Sequence, residues 1–299
     1  MSLNHNFIHI CRVYLIKMNG SKKLKDIIGE NKVEKLADGF QFTEGPVWVD
    51  DYLLFSDIPA DTIYKYQETT DLYLKPSGHS NGLTLDKQGR LLLCEHDRRL
   101  TRLEEDGSKT VLAEHYEGKR LNSPNDLVVK ADGSIYFTDP PYGLPNRSEG
   151  KELDYCGVYR LDLDGTLTLL DDSIELPNGL AFSPDEKTLY VADTSNAHVY
   201  AFDVTTGLEN KRVFSKLGEV GRNGSADGMK VDVGGNVFCT GPGGVHVIDP
   251  EGTRIGVIEC PEVPANIAWG GEGYKTLYIT ARTGLYSLKV LTGGASLLL

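Results

Sequence analysis

The chain has 299 residues, of which 40% are hydrophobic, and its formal net charge is −12. This charge disfavours a nucleic-acid partner, because no basic stripe is present to displace counterions from phosphates. Glycine and proline are frequent, with 33 and 13 copies, which indicates many short strands joined by turns. We therefore expect one large domain built mainly from strands.

The first segment in chain order contains an apolar run, FIHICRVYLI at residues 7–16. His9 and Arg12 interrupt the run, and no small-residue cleavage site follows it. Ten residues are also too few to span a bilayer, so we predict no membrane partner. We interpret residues 1–32 as an N-terminal extension, in which SKKLKDIIGEN at 21–31 forms one or two helical turns.

The cysteines indicate a reducing compartment. There are five, an odd number, and they are widely spaced without a CxxC pair. This spacing favours neither a disulfide framework nor a zinc cage, and we predict a cytoplasmic location. The five are Cys11, Cys94, Cys156, Cys239 and Cys260.

From Glu44 onward a four-strand pattern repeats six times. Equivalent positions recur about every 44 residues, a spacing typical of propeller blades. The fourth strand has only five copies, and VEKLAD at residues 33–38 supplies the sixth. The pattern predicts an all-β fold, a six-bladed β-propeller with four antiparallel strands per blade, whose ring is closed by the N-terminal strand. We predict that residues 33–299 form this propeller domain.

An oxygen-bearing side chain precedes the first strand in five of the six repeats, and Ala265 holds the equivalent position in the sixth. In a propeller these positions meet at one mouth of the central channel. Carboxylate and amide oxygens without thiolates suit Ca²⁺, Mg²⁺ or Mn²⁺. The alternative is that each residue caps a local turn, as Asn and Asp often do. The five residues are Glu44, Asn81, Asn125, Asn178 and Asp227.

A second set of polar residues ends the second strands and reaches the same mouth. We expect turn capping or hydrogen bonding between blades for most of them, whereas His96 is a candidate proton shuttle or substrate hydrogen-bond partner. The longest loop at this mouth spans residues 140–156 and carries Tyr142, which either closes over a ligand or packs the loop. The set comprises Asp57, Glu95, His96, Asp139 and Asp193.

Several motifs resemble the gluconolactonase/regucalcin (senescence marker protein) family, across residues 33–290. They are TEGPVW, NSPNDLVV, FTDPPYG, LPNGLAFSPDEKTLYVAD and ADGMKVD, and the second and third are most similar to the bacterial-type gluconolactonase branch.

The resemblance implies a divalent cation in the channel, with Glu44, Asn178 and Asp227 as ligands and Asn125 as a ligand or substrate contact. Ca²⁺ is the expected ion, with Mg²⁺, Mn²⁺ or Zn²⁺ as alternatives. Ser123 stands where the regucalcin branch carries a sugar-contacting arginine, so the substrate of that branch does not transfer.

These residues favour metal-dependent hydrolysis of a small-molecule sugar lactone, with Asp227 as the candidate base and metal ligand. Asn81, Asn125, His96 and Tyr142 are the predicted substrate contacts. Covalent serine catalysis is disfavoured, because the serine of GHSNG lacks a strand-turn-helix setting. The alternatives are a phosphotriesterase of the diisopropyl-fluorophosphatase kind and a non-catalytic metal-binding propeller.

Overall fold

The structure, a computed structural model, describes residues 23–219 and 224–295. The apolar run at 7–16 lies outside the described residues. A helical turn, α1, spans Lys25–Ile28 and confirms the turn predicted in this region. Its Ile27 is fully buried against blade residues such as Val247 and Leu288. None of the helices in the described ranges has the length and apolar character needed to span a membrane.

The rest of the described chain is made almost entirely of strands, with short 3-10 turns at Pro145–Arg147 and Glu272–Tyr274. The strands are β1 (Glu34–Asp38), β2 (Thr43–Val49), β3 (Tyr52–Asp57), β4 (Thr62–Gln67), β5 (Thr69–Leu74), β6 (Ser80–Leu85), β7 (Leu91–Glu95), β8 (Arg99–Leu103), β9 (Lys109–Ala113), β10 (His115–Tyr116), β11 (Lys119–Arg120), β12 (Leu127–Val129), β13 (Ile135–Asp139), β14 (Gly157–Leu161), β15 (Leu167–Asp171), β16 (Pro177–Phe182), β17 (Thr188–Asp193), β18 (His198–Val204), β19 (Leu208–Lys216), β20 (Met229–Val231), β21 (Val237–Gly241), β22 (Gly244–Ile248), β23 (Arg254–Ile258), β24 (Pro264–Gly270), β25 (Thr276–Ala281) and β26 (Gly284–Lys289).

Six four-stranded antiparallel sheets form the blades of the predicted propeller. Blades one to five are β2–β5, β6–β9, β12–β15, β16–β19 and β20–β23, and blade six has the order β24-β25-β26-β1. In blade six Glu34 pairs with Ser287 and Asp38 with Gly284, so the N-terminal strand closes the ring as predicted. The hairpin β10–β11 between blades two and three was not predicted.

The core lies between neighbouring blades, because each sheet buries apolar side chains against the next one. Between blades one and six, Leu53 and Phe55 pack with Leu285, and the Trp48 ring stacks on Tyr278 at 5.3 Å between centroids. Similar clusters join the other blades. This packing fixes the inner strand of every blade around the channel.

Four inner strands contain a β-bulge close to the channel mouth. The register shifts between Glu44 and Val47 in β2, with equivalent shifts in β6, β16 and β24. A bulge sets two residues of one strand opposite a single residue of its partner and re-aims their side chains. Two consecutive residues of an inner strand are therefore able to face the channel.

Candidate metal centre and substrate cavity

A cavity of about 770 Å³ lies at the mouth formed by the starts of the inner strands and the ends of the second strands. The structure brings together every residue that the sequence assigned to a ligand or substrate role. The roles themselves stay predictions. The lining includes Glu44, Asn81, His96, Asn125, Tyr142, Asn178 and Asp227.

Glu44 is held at the start of β2 with its carboxylate deep in the mouth. Its Oε2 accepts hydrogen bonds from the Gly45 N–H at 2.6 Å and from Asn266 Nδ2 at 3.0 Å. The residue is only 3% exposed. Burial, together with the negative charge of Asp126, raises the pKa of the Glu44 carboxyl to about 7. The surroundings of Glu44 therefore favour its neutral, protonated form unless a positive charge lies beside it.

Asp227 adds a second carboxylate to the same cavity. Burial is the main cause that raises the pKa of its carboxyl well above the usual range, followed by the negative charge of Glu44. The two carboxylates thus destabilise each other's charged form. A divalent cation bound between them would remove this repulsion.

The amide of Asn178 is oriented by its neighbours. Its Nδ2 donates to Thr194 Oγ1 at 3.1 Å, and this hydroxyl donates to the Ala226 carbonyl at 2.8 Å. Since the nitrogen is occupied, Oδ1 is the amide atom available to a ligand. Asn125 also faces the cavity and is 3% exposed.

Sequence reasoning missed two polar residues directly beneath the mouth, Asp126 and Asn266. Asn266 Nδ2 donates to Glu44 Oε2 and, at 3.2 Å, to Asp126 Oδ2, so one amide joins both carboxylates. The two residues follow the aligned positions Asn125 and Ala265, where the other four repeats have glycine. A polar residue where the other repeats have glycine was the sequence signal that could have identified these two positions.

The glycines at this position leave the space that the two polar side chains fill. A Cβ on Gly82 would lie 2.7 Å from Asp126 Oδ1, and a Cβ on Gly228 would lie 2.0 Å from Asn266 Cγ. Neither position tolerates a side chain without displacing the Glu44–Asn266–Asp126 cluster. We call this layer, one residue below the ligand candidates, the neck.

A second cavity of about 500 Å³ lies on the far side of the neck. It is lined mainly by apolar residues of the inner strands, among them Leu83, Leu180 and Trp269. Lys230 also lines this cavity, and its positive charge acts on the Glu44 carboxylate. The neck residues Asp126 and Asn266 line neither cavity. The neck thus separates the polar mouth from an apolar chamber.

Most of the second polar set serves the scaffold, as expected. Asp57 accepts hydrogen bonds from the backbone of residues 41 and 42, and Glu95 forms ion pairs with Arg99 and Lys109. Of this set only His96 lines the mouth. Ser123 fastens the long loop, because its Oγ donates to the Pro140 carbonyl at 2.6 Å and accepts from the Gly143 N–H at 2.8 Å.

The donor set at the mouth fits a hard divalent cation. No group of three or more His, Cys, Asp or Glu side chains forms a metal-binding arrangement within residues 23–219 and 224–295. The mouth instead combines two carboxylates with amide oxygens, which is an oxygen-only set of the kind Ca²⁺ prefers. Burial and neighbouring carboxylates raise the pKa of Glu44 and Asp227, so a cation beside them would stabilise their charged forms.

Asp139 lies behind the mouth and provides a pH test of the scaffold. Burial raises the pKa of its carboxyl to about 7, although the Asn122 N–H donates to Oδ2 at 2.7 Å. The unfolded chain releases this proton near pH 4, so the free energy of unfolding should fall as pH rises from about 4 to 7. The expected slope approaches 1.4 kcal/mol per pH unit and vanishes above pH 7.

Urea unfolding of wild type and Asp139→Asn across pH 4.5 to 8 isolates this contribution, because the other titrating groups cancel in the difference. We expect the difference between the two free energies of unfolding to change up to about pH 7 and to be constant above it. A flat curve throughout would contradict the assigned shift.

Comparison with known proteins agrees with this architecture. The sequence pattern described as "SMP-30/Gluconolactonase/LRE-like region" matches residues 42–283. A gluconolactonase from Zymomonas mobilis is 37% identical across 88% of this chain and 82% of its own length. A solved gluconolactonase from Xanthomonas campestris superposes with a TM-score of 0.82 at 37% identity, covering 89% of this chain and 92% of that one.

A third match extends the fold to a more distant protein. A regucalcin from Agrobacterium tumefaciens, described as calcium-binding, has a TM-score of 0.74 over 87% of this chain and 94% of its own, at only 20% identity. At that identity the likeness concerns the fold alone. The family match and the two closer relatives confirm the resemblance predicted from the motifs, and the chain is a member of the SMP-30/gluconolactonase/LRE-like family.

Proposed function

We propose that this protein hydrolyses a sugar lactone at a divalent cation in the channel mouth. The observation that carries the proposal is a pair of carboxylates, the buried Glu44 and the half-buried Asp227, at a cavity lined by amides. The names of the relatives support it: one is a gluconolactonase, and another, 30% identical across 81% of both chains, is a pentonolactonase from Haloferax volcanii.

Glu44, Asn125, Asn178 and Asp227 would hold the cation, for which we propose Ca²⁺, with Mg²⁺, Mn²⁺ or Zn²⁺ as alternatives. When bound, the cation supplies Lewis-acid polarisation of the lactone carbonyl and stabilises the negative charge that develops on it.

In this proposal Asp227 orients the attacking water and accepts its proton. Asp227 is the proposed proton acceptor because its carboxylate lies at the same cavity as the other proposed cation ligands. Water adds to the lactone carbonyl carbon, the ring C–O bond breaks, and the proton held by Asp227 passes to the departing oxygen. The products are a carboxylic acid and a hydroxyl group on one open chain.

No nucleophilic serine is required. Ser80, the serine of GHSNG, is fully buried, and its Oγ shares a 2.9 Å hydrogen bond with Ser56 Oγ. We propose Asn81, Asn125, His96 and Tyr142 as the substrate contacts, because all four line the cavity.

The test is a panel of aldonolactones and phosphotriesters, assayed with the metal-stripped protein and after addition of each candidate cation. We expect lactone hydrolysis that depends on the cation, with Ca²⁺ giving the largest rate. Hydrolysis of phosphotriesters alone would favour the diisopropyl-fluorophosphatase kind of activity. Tight cation binding without turnover of any substrate would favour a non-catalytic metal-binding propeller.

We further propose that residues 33–299 act as one catalytic domain and that the chain works in the cytoplasm. The cysteines within the described ranges are free thiols, which supports a reducing compartment. Cell fractionation with an antibody against the chain tests the location.

A further inference from the structure

We propose that Arg147 and Arg282 form a cationic rim around the mouth, and that the preferred substrate is a lactone that bears a separate anionic group, a carboxylate or a phosphate. The inference rests on the proposed lactone hydrolysis and adds to it the charge of the substrate. The feature that the rim recognises is the anionic group and not the ring.

These two arginines differ from the other arginines of the described chain. Within residues 23–219 and 224–295, each of the other eight donates from its guanidinium to a carboxylate or carbonyl oxygen of the protein. The guanidinium groups of Arg147 and Arg282 make neither a hydrogen bond nor an ion pair in these ranges. The eight partnered residues are Arg90, Arg98, Arg99, Arg102, Arg120, Arg160, Arg212 and Arg254.

Both arginines of the rim line the mouth cavity. Arg147 belongs to the long loop of blade three, and Arg282 to the turn between β25 and β26 of blade six. Blades three and six are three places apart in a ring of six, so the two residues stand on opposite sides of the opening. Both are exposed, and a molecule that enters the mouth is able to reach them.

The chain segments that carry the rim are held against the mouth. The Arg147 N–H donates to the Leu144 carbonyl at 2.9 Å, and its guanidinium lies over the Tyr142 ring at 4.9 Å from the centroid. On the other side, the Arg282 carbonyl accepts from the Thr43 N–H at 2.7 Å. The positions of the two positive charges are therefore set by the fold.

The carboxylates of the mouth do not use these charges. Burial and the negative charges of Glu44 and Asp126 raise the pKa of Asp227, and no arginine offsets them. A bound divalent cation would balance Glu44 and Asp227. Burial, with a smaller effect from His79, lowers the pKa of His96 to about 4, so this residue is neutral at physiological pH. The rim then has two positive charges without a counterpart.

A guanidinium group presents paired N–H donors that match the oxygens of a carboxylate or a phosphate. A neutral lactone offers no such partner and leaves both arginines bonded to water. The chain has a net charge of −12, which repels anions at long range, so the rim is a local exception to the charge of the whole protein. This contrast favours a substrate with an anionic group.

The experiment uses two matched pairs of lactones. Glucono-γ-lactone and glucaro-γ-lactone differ by a primary alcohol against a carboxylate, and the second pair is glucono-δ-lactone and its phosphate ester at the primary hydroxyl. The measured quantity is the ratio of kcat/KM for the anionic member to kcat/KM for the neutral one. We expect wild type to favour the anionic member of at least one pair, which identifies the group.

We expect the double variant Arg147→Gln, Arg282→Gln to lower this ratio by about 10-fold or more, the equivalent of one lost hydrogen bond to a charged group. Replacement of both arginines by lysine keeps the charges and should retain part of the preference. Preference for the neutral lactone of both pairs, or an unchanged ratio in the glutamine variant, would overturn the proposal. A lysine variant as low as the glutamine variant would contradict recognition by charge.

Arg212→Gln is the matched control. This arginine lies on β19, the outer strand of blade four, where it pairs with Asp203, and it does not line the mouth. The substitution changes the net charge by the same amount as each single glutamine substitution at the rim. We expect an unchanged ratio, whereas a loss equal to that of the rim variants would assign the effect to the overall charge and refute the rim.

A binding measurement tests the rim independently of hydrolysis. The probes are D-glucuronate, glucose with a phosphate at its primary hydroxyl, and D-glucose, none of which contains a lactone bond. By calorimetry with and without added Ca²⁺, we expect an anionic probe to bind wild type more tightly than glucose and to bind the double glutamine variant about 10-fold more weakly. This pattern without turnover of any lactone would refute only the proposed function. The rim is refuted if neither anionic probe binds wild type more tightly than glucose, or if both probes bind the variant equally well.

Discussion

Asp227→Asn should leave the propeller folded and reduce lactone turnover by about 10²- to 10³-fold, the typical loss when one important electrostatic contact is removed. The substitution keeps the size of the side chain but removes both the proposed proton acceptor and one of the two cavity carboxylates. Because the carboxyl of Asp227 is destabilised by burial and by Glu44, its neutralisation should not weaken the fold. The loss should appear in kcat at saturating cation.

Glu44→Gln is the informative comparison, since it removes the other carboxylate without removing the proposed base. We expect it to weaken cation binding, measured by calorimetry, more than it lowers kcat at saturating cation. Asp154→Asn, an exposed aspartate on the long loop that does not line the cavity, serves as the matched control. If Asp227→Asn keeps activity within a few-fold of wild type under saturating cation, its proposed role as a base is wrong.

Removal of β1 should have the largest effect on stability. A chain that begins at Phe40 loses the partner of β26, including the pairs Lys35 with Tyr286 and Ala37 with Leu285. The freed edge of β26 then exposes unpaired backbone groups that promote association between chains. We expect this variant to aggregate or to unfold at much lower urea concentration than the parent chain.

A chain that begins at Val33 is the necessary control, because it lacks α1 but keeps β1. It should lose the packing of Ile27, about 2–5 kcal/mol by analogy with large-to-small substitutions in cores, and remain folded with the same elution volume class as the parent chain. The measurements are urea unfolding and size-exclusion chromatography. Equal stability of the two shortened chains would show that β1 does not hold the ring closed.

The propeller was predictable because its signal repeats. Six copies of one four-strand pattern with a missing fourth strand imply a ring and its closure, and β1 occupies the expected place. Five of the seven predicted mouth residues gathered for the same reason: repeat-equivalent positions such as Glu44 and Asn178 meet on the channel axis. The symmetry of the ring therefore made it possible to predict from the repeat which side chains lie close together.

The neck was not predictable by the same reasoning. Alternation along a strand sends consecutive residues to opposite faces, so regular strand geometry would direct Asn266 away from the face of Ala265. The bulges of the inner strands break this alternation, as the register shift between Pro264 and Asn266 illustrates. Asp126 precedes the short strand β12, so the alternation of side chains along a strand does not apply to it either. The long loop also approaches His96, where a Cβ on Gly143 would lie 2.6 Å from the histidine Cβ, and this packing in three dimensions has no signal in the sequence.

The neck also determines how substrate enters the mouth and how product leaves it. Because Asp126 and Asn266 join across the channel beneath Glu44, the polar mouth is a dead-end pocket and the axis is not a tunnel. An entering lactone and a departing acid must use the same opening, one after the other. The acid product consequently competes with the next lactone for the space that both occupy, and turnover depends on its escape from the pocket as well as on the cleavage step.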